Sequence, residues 1–192
     1  MYKILTLKDK VRVPPTKFDM SVEDAIKESL QEQLEGELNP NHGIFLVITD
    51  VLNVGDGKII PEDGAIYYPA EFKSLVFKPE ENEIIIGEVV DITEFGAFTR
   101  IGPIDALIHV SQIMDDKVAY DQKNATFSGK KTGFKLKEGD LVRVRVVGVS
   151  LGKTKTKISL TMRQPELGAL SWIEKEKKSS KKGKTKAEKK EK

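Results

Sequence analysis

The chain contains no cysteine among its 192 residues. Disulfides, thiolate metal sites and thiol nucleophiles are therefore excluded. Histidine is scarce: His42 and His109 stand far apart, and neither lies in an H-E-x-x-H spacing. A histidine-rich metal site or a Ser-His-Asp arrangement finds too few residues. No apolar run approaches the roughly 20 residues that a membrane-spanning helix needs. The charged, strand-like start from Met1 to Val13 has no apolar signal core. These features predict a cytoplasmic protein with no membrane partner. Carboxylates clustered to hold catalytic metal ions are also missing, because the acidic residues are spread along helix faces and turns. An enzyme, a nuclease included, is disfavoured, and no cofactor is expected.

What is present is an ordinary packed-core composition, 39% hydrophobic and 32% charged. The formal net charge of +2 conceals an asymmetry: residues 1–80 carry −5, residues 81–170 carry +1 and residues 171–192 carry +6. Contact with phosphates is expected in the second and third parts, not in the acidic first part.

The first part, residues 1–80, opens with a strand, Tyr2–Val13, stopped by Pro14-Pro15. Ser21 is placed as a helix N-cap, with Asp24 in the capping-box position usually held by Glu. Val22, Ile26, Leu30 and Leu34 then form a helical stripe that predicts a core face, with Glu23, Asp24, Glu28, Glu32 and Glu35 as a solvated outer face. Gly43–Asn53, Lys58–Ile60, Ile66–Tyr68 and Phe72–Lys78 read as strands, giving an α+β domain with one helix on a small antiparallel sheet. Gly55-Asp56-Gly57-Lys58 lacks the spacing of a phosphate-binding loop and reads as a hairpin turn.

The second part, residues 81–170, carries almost only strand signals: Ile84–Ile92, Phe95–Ile101, Leu107–Val110, Leu141–Val149 and Lys157–Met162. Five short strands with glycine-marked bends predict an all-β OB-fold barrel. The polar, glycine-bearing stretch Asp115–Gly139 reads as a mobile insertion. Residues 171–192 are lysine-rich and of low complexity, and are expected to be disordered beyond a short helical stub near Leu167–Ile173. The ten lysines of this last part either add salt-sensitive phosphate affinity or only solubilise the chain.

Single-stranded nucleic acid is held by flat rings that stack bases and by positive charge that follows the backbone. Phe95 and Phe98 lie three apart across Gly96, where a glycine-permitted bend would bring both rings to one outer face. Strand alternation places Phe98 and Arg100 on one face and Ala97, Thr99 and Ile101 on the other. Ile108 and Val110 are expected inward and His109 outward. Taken alone, two phenylalanines at a strand start are more often core residues. The order of the whole set is the specific feature.

The stretch Gly87–Arg100, with Ala106–Ile113 and Lys137–Val144, resembles the S1 RNA-binding domain. The resemblance implies RNA contacts at Phe95, Phe98, His109 and Lys157, with Arg100 as a neighbour. The family's acidic position falls on Ser150 here, and the 115–139 insertion is longer than in compact S1 domains. A wider resemblance runs through Val11–Pro15, the following helix and Gly64–Pro79 into the barrel. It is to the E-prime family of archaeal RNA polymerase subunits, whose eukaryotic counterpart is the seventh subunit of RNA polymerase II. It implies an RNP-like N-terminal domain docked on the polymerase core, a small helical RNA polymerase subunit as partner, and a non-catalytic stalk that contacts nascent single-stranded RNA. The alternative is a free-standing S1 factor in translation or RNA decay.

Overall fold

The computed structural model describes residues 1–61, 63–152 and 156–175 and divides into two units, each with its own core. From residue 176 on, the lysine-rich tail expected to be disordered lies outside the described residues.

The first unit contains β1 (Tyr2–Val13), α1 (Val22–Leu34), β2 (Leu38–Asn39), β3 (Gly43–Val54), β4 (Lys58–Ile59) and β5 (Ile66–Phe77). The sheet order is β1-β5-β3-β2, with β4 on the remaining length of β5. Alternation along β1 sends Val11 and Val13 to one face, where they pack with Ala25, Ile26 and Leu30 of the helix and with Ile48, Ala70 and Phe72. Ser21 caps the helix as expected, its hydroxyl oxygen accepting the Asp24 N–H at 3.2 Å. The predicted stripe shifts by part of a turn: Ala25 and Ser29 are buried with Ile26 and Leu30, while Val22 is exposed.

Two further differences from the sequence reading have local causes. Ile66–Tyr68 and Phe72–Lys78 are one continuous strand running through Pro69. A proline is tolerated in this central strand because its nitrogen points toward the gap where β3 has ended and β4 has not begun, and there Gly55 donates its N–H to the Pro69 carbonyl at 2.8 Å. The acidic helix face is also not wholly solvated. Lys17, buried after the β1 turn, places its Nζ 2.7 Å from Glu32 and 3.9 Å from Glu28. A buried ammonium needs such partners, so these two carboxylates are drawn to it.

Arg12 of β1 forks onto the carboxylate of Asp63, Nε to Oδ2 at 2.9 Å, and the Tyr67 hydroxyl donates to the same carboxylate. These bonds hold the Asp63 carboxyl down at about 2, below its ordinary 3.8. A lowered carboxyl contributes stability that is complete above the unfolded value and disappears as pH falls from there through about 2. A carboxyl-carbon NMR titration should place the Asp63 midpoint well below the ordinary 3.8. Asp63→Asn should remove the acid-side loss that this pair causes.

The second unit contains β6 (Ile84–Thr93), β7 (Gly96–Ile101), β8 (Ile104–His109), β9 (Val118–Asp121), β10 (Thr126–Gly129), β11 (Lys135–Leu136), β12 (Leu141–Leu151), β13 (Thr156–Thr161) and β14 (Gly168–Ala169). The five predicted barrel strands are present, in the order β13-β8-β7-β6-β12, and a β12–β13 pairing closes the ring. The β8–β13 pair is parallel. Val89, Ala97, Ile101, Ile108, Val144 and Leu160, among others, fill the interior.

The 115–139 insertion corrects the sequence reading. It is a three-stranded sheet, β11-β10-β9, in place of a mobile loop. Phe127 and Leu136 are fully buried within it, and the Tyr120 and Phe127 rings lie 5.4 Å apart. Strands of two to four residues carry too little alternation to be visible between lysines and glycines. The barrel unit also continues past residue 170. Residues 170–175 are helical, and Trp172 and Ile173 are buried.

Candidate nucleic-acid interface

Strand β7 separates two environments. Ala97, Thr99 and Ile101 are buried in the barrel, Phe98 is half-buried on the outside and Arg100 is exposed. Phe95, immediately before the strand, is 48% exposed. The Phe95 and Phe98 ring centroids are 5.9 Å apart with planes at 90°, an edge-to-face geometry that leaves ring surface open. The core alternative for this pair is thereby answered: neither phenylalanine is inside.

Gly96 permits the arrangement, for a reason other than the expected bend. It is not among the residues with positive φ. In the β7–β8 register it faces His109, and a Cβ on it would stand 2.3 Å from the Ile108 carbonyl oxygen. Glycine is required by close strand approach. That approach also lets the Val110 N–H donate to the Phe95 carbonyl at 2.9 Å, which joins the start of β7 to the end of β8.

His109 closes β8, is exposed, and caps the 3-10 turn Val110–Gln112. Its Nδ1 accepts the Ser111 N–H at 3.3 Å and lies 2.8 Å from the Ser111 hydroxyl. An Nδ1 that accepts a backbone N–H leaves the ring proton on Nε2, so the imidazole offers a donor outward. Lys157 is exposed near the start of β13, and Ser159, two residues on and on the same side, lies opposite Leu107 of β8. Phe95 before β7, Phe98 on β7, His109 at the end of β8 and Lys157 on β13 are thus all accessible.

Arg100 differs from the rest. Its Nε and Nη2 meet the Asp105 carboxylate at 3.0 and 3.4 Å, and Glu88 lies opposite it on β6. These carboxylates raise the guanidinium further above its ordinary range. Arg100 is the member of the set that carries an ion pair within the protein, and that pair is exposed. Sequence reading also missed Asp91, which is exposed and pairs with Phe98 across a register shift in β6. An acidic group does border the aromatic pair, but on β6, whereas Ser150 lies exposed near the end of β12. The bulge hid it, because a one-residue slip reverses which side chains face out. Among the described residues no group of three or more His, Asp or Glu is placed to hold a metal ion. No helix there is long and apolar enough to cross a membrane.

Residues 8–64 match the family described as the SHS2 domain found in the N terminus of Rpb7p/Rpc25p/MJ0397, and residues 78–163 match the S1 RNA binding domain. The chain is 36% identical over 180 residues to DNA-directed RNA polymerase subunit Rpo7 of Saccharolobus shibatae, covering 93% of this chain and 100% of that one. It is 35% identical over 177 residues to the same subunit of Sulfolobus acidocaldarius, covering 92% and 97%. More distantly, it is 22% identical over 171 residues to DNA-directed RNA polymerase II subunit RPB7 of Glycine max, covering 89% and 97%. With both domains in that order and similarity along nearly its whole length, the chain belongs to the family of DNA-directed RNA polymerase subunit Rpo7.

Proposed function

We propose that this chain is a non-catalytic stalk subunit of a cytoplasmic RNA polymerase, and that it guides nascent single-stranded RNA over Phe95, Phe98, His109 and Lys157. In this reading residues 1–80 dock on the polymerase core, and a small helical RNA polymerase subunit is the direct partner. The observation that carries the RNA face is the half-exposed aromatic pair beside an outward imidazole. Apolar rings exposed together on a folded surface mark a contact site, and rings beside a basic side chain are what unpaired bases require. Similarity to polymerase subunits over nearly the full chain favours this over a free-standing S1 factor, which would account for the barrel alone.

Replacing one stacking ring costs on the order of 1–3 kcal/mol per base. Phe98→Ala should therefore weaken binding of a short single-stranded RNA by roughly five- to 150-fold, with an unchanged melting curve. His109→Ala should weaken it less. Anisotropy titration checks both, and unchanged affinity in Phe98→Ala overturns the assignment of this face. Recovery of polymerase subunits with the tagged chain from native lysate supports the stalk role. Recovery of ribosomal proteins in their place would refute it.

A further inference from the structure

A second feature of the S1 unit lies where the aromatic face ends. A cavity of about 360 Å³ opens beside the 3-10 turn that follows β8. Ser111, Met114 and Arg163 form its barrel side, and Lys117 and Lys131 of the insertion form the other. Ser111 belongs to both places: it lines the cavity, and its hydroxyl lies 2.8 Å from His109 Nδ1. The cavity therefore continues the surface occupied by Phe95, Phe98 and His109.

Its charges sort into committed and uncommitted groups. Asp116 accepts the N–H groups of Lys117, Lys131 and Thr132 at 2.6, 2.6 and 2.9 Å. These bonds keep its carboxyl below the ordinary range, and its function is to fold the insertion. Asp115 is taken by Arg163, whose Nε meets Oδ1 at 2.9 Å. Lys117 and Lys131 are exposed, and among the described residues neither ammonium has an ion-pair partner. The N–H groups of both meet on the Asp116 carboxylate, and the neighbouring Lys130 N–H donates to the Lys117 carbonyl at 3.1 Å, so both lysines sit at one end of the small sheet. The available charge at the cavity is therefore positive, and it is carried by point-charge donors suited to phosphate oxygens.

We infer that this cavity holds a backbone phosphate of the strand whose bases stack on Phe95 and Phe98, so that the insertion extends the RNA track beyond the barrel. The inference rests on the RNA reading of the barrel face. It gives the insertion a role: to carry Lys117 and Lys131 to the point where the strand leaves His109.

The test is binding of uridine oligomers of four and of ten nucleotides to the full chain, as a function of salt. Variants are the double substitution Lys117→Ala with Lys131→Ala, and Phe98→Ala. Each phosphate contact contributes about 0.7 to the slope of log affinity against log salt for single strands. With that one phosphate contact gone, the double variant should lose about 0.7 from the slope for the ten-mer and bind it roughly fivefold more weakly. Its affinity for the four-mer should be unchanged, while Phe98→Ala weakens both. Unchanged ten-mer affinity and slope in the double variant, with Phe98→Ala still weakened, would overturn the cavity and leave the barrel face standing. Equal losses for both lengths would also overturn it, since the lysines would then act only as general surface charge. If Phe98→Ala has no effect either, the barrel reading fails and takes the cavity with it.

Discussion

Trp172→Ala is expected to cost the S1 unit about 3–5 kcal/mol, the range for removing a large buried aromatic side chain. Trp172 is only 6% exposed. Its ring stacks on Phe134 with centroids 5.1 Å apart and planes at 8°. Its indole N–H donates to the Lys135 carbonyl at 3.0 Å, and Gly168 comes up against its ring. Truncation to alanine removes the stack, opens a void and leaves a backbone carbonyl short of a donor. Urea unfolding followed by circular dichroism gives the measurement, since the single tryptophan is lost as a fluorophore. Trp172→Phe should recover most of the loss, falling short by about 0.5–1.5 kcal/mol for the missing hydrogen bond. A chain ending at residue 170 should be destabilised as strongly as Trp172→Ala. Wild-type stability in either variant would mean that the domain ends where composition places it.

Gly96→Ala is the second large effect, because it should damage the fold and the site together. The new Cβ would meet only main-chain atoms, the Ile108 carbonyl oxygen at 2.3 Å and the Ile108 carbonyl carbon and His109 Cα at 3.1 Å. None of these can rotate away, so the β7–β8 pair must part at the point where Phe95 bonds to Val110. Overpacking of this kind costs about 1–3 kcal/mol, and a clash with backbone belongs at the upper end. RNA affinity should fall by at least as much as in Phe98→Ala, since the glycine positions both rings and the imidazole. Gly148→Ala is the control: a Cβ there meets nothing within 4 Å, so stability and binding should stay unchanged. A Gly96→Ala protein that melts and binds like the parent would show that the close approach does not hold the site together.

The sequence was informative wherever a period or an exclusion decided the matter. Five alternating stretches predicted the five barrel strands, and each lies within a few residues of its expected bounds. Phe98 and Arg100 outward with Ala97, Thr99 and Ile101 inward follows from the two-residue repeat of a strand. The Ser21 cap follows from a hydroxyl placed ahead of a helical stripe. The absence of cysteine and the scarcity of histidine narrowed the chemistry before any element was placed. Resemblance along the chain supplied the polymerase family, which composition and spacing could not have reached.

Other features depended on contacts between residues distant in sequence, to which local pattern is blind. The Arg100–Asp105 pair forms because a tight turn sets β8 beside β7, and it withdraws Arg100 from the set of free cations. Asp91 reaches Phe98 only through a bulge that shifts the register of β6. The insertion folds because Phe127 and Leu136 find burial together, and Trp172 joins Phe134 and Lys135 from 37 residues away. Strand periods and caps are written in neighbouring residues, so the sequence by itself determined the five barrel strands, the capped helix and the inward–outward alternation of β7. Ion pairing, register and the joining of the C-terminal helix to the insertion depend on which distant groups meet, and only the tertiary structure decided them.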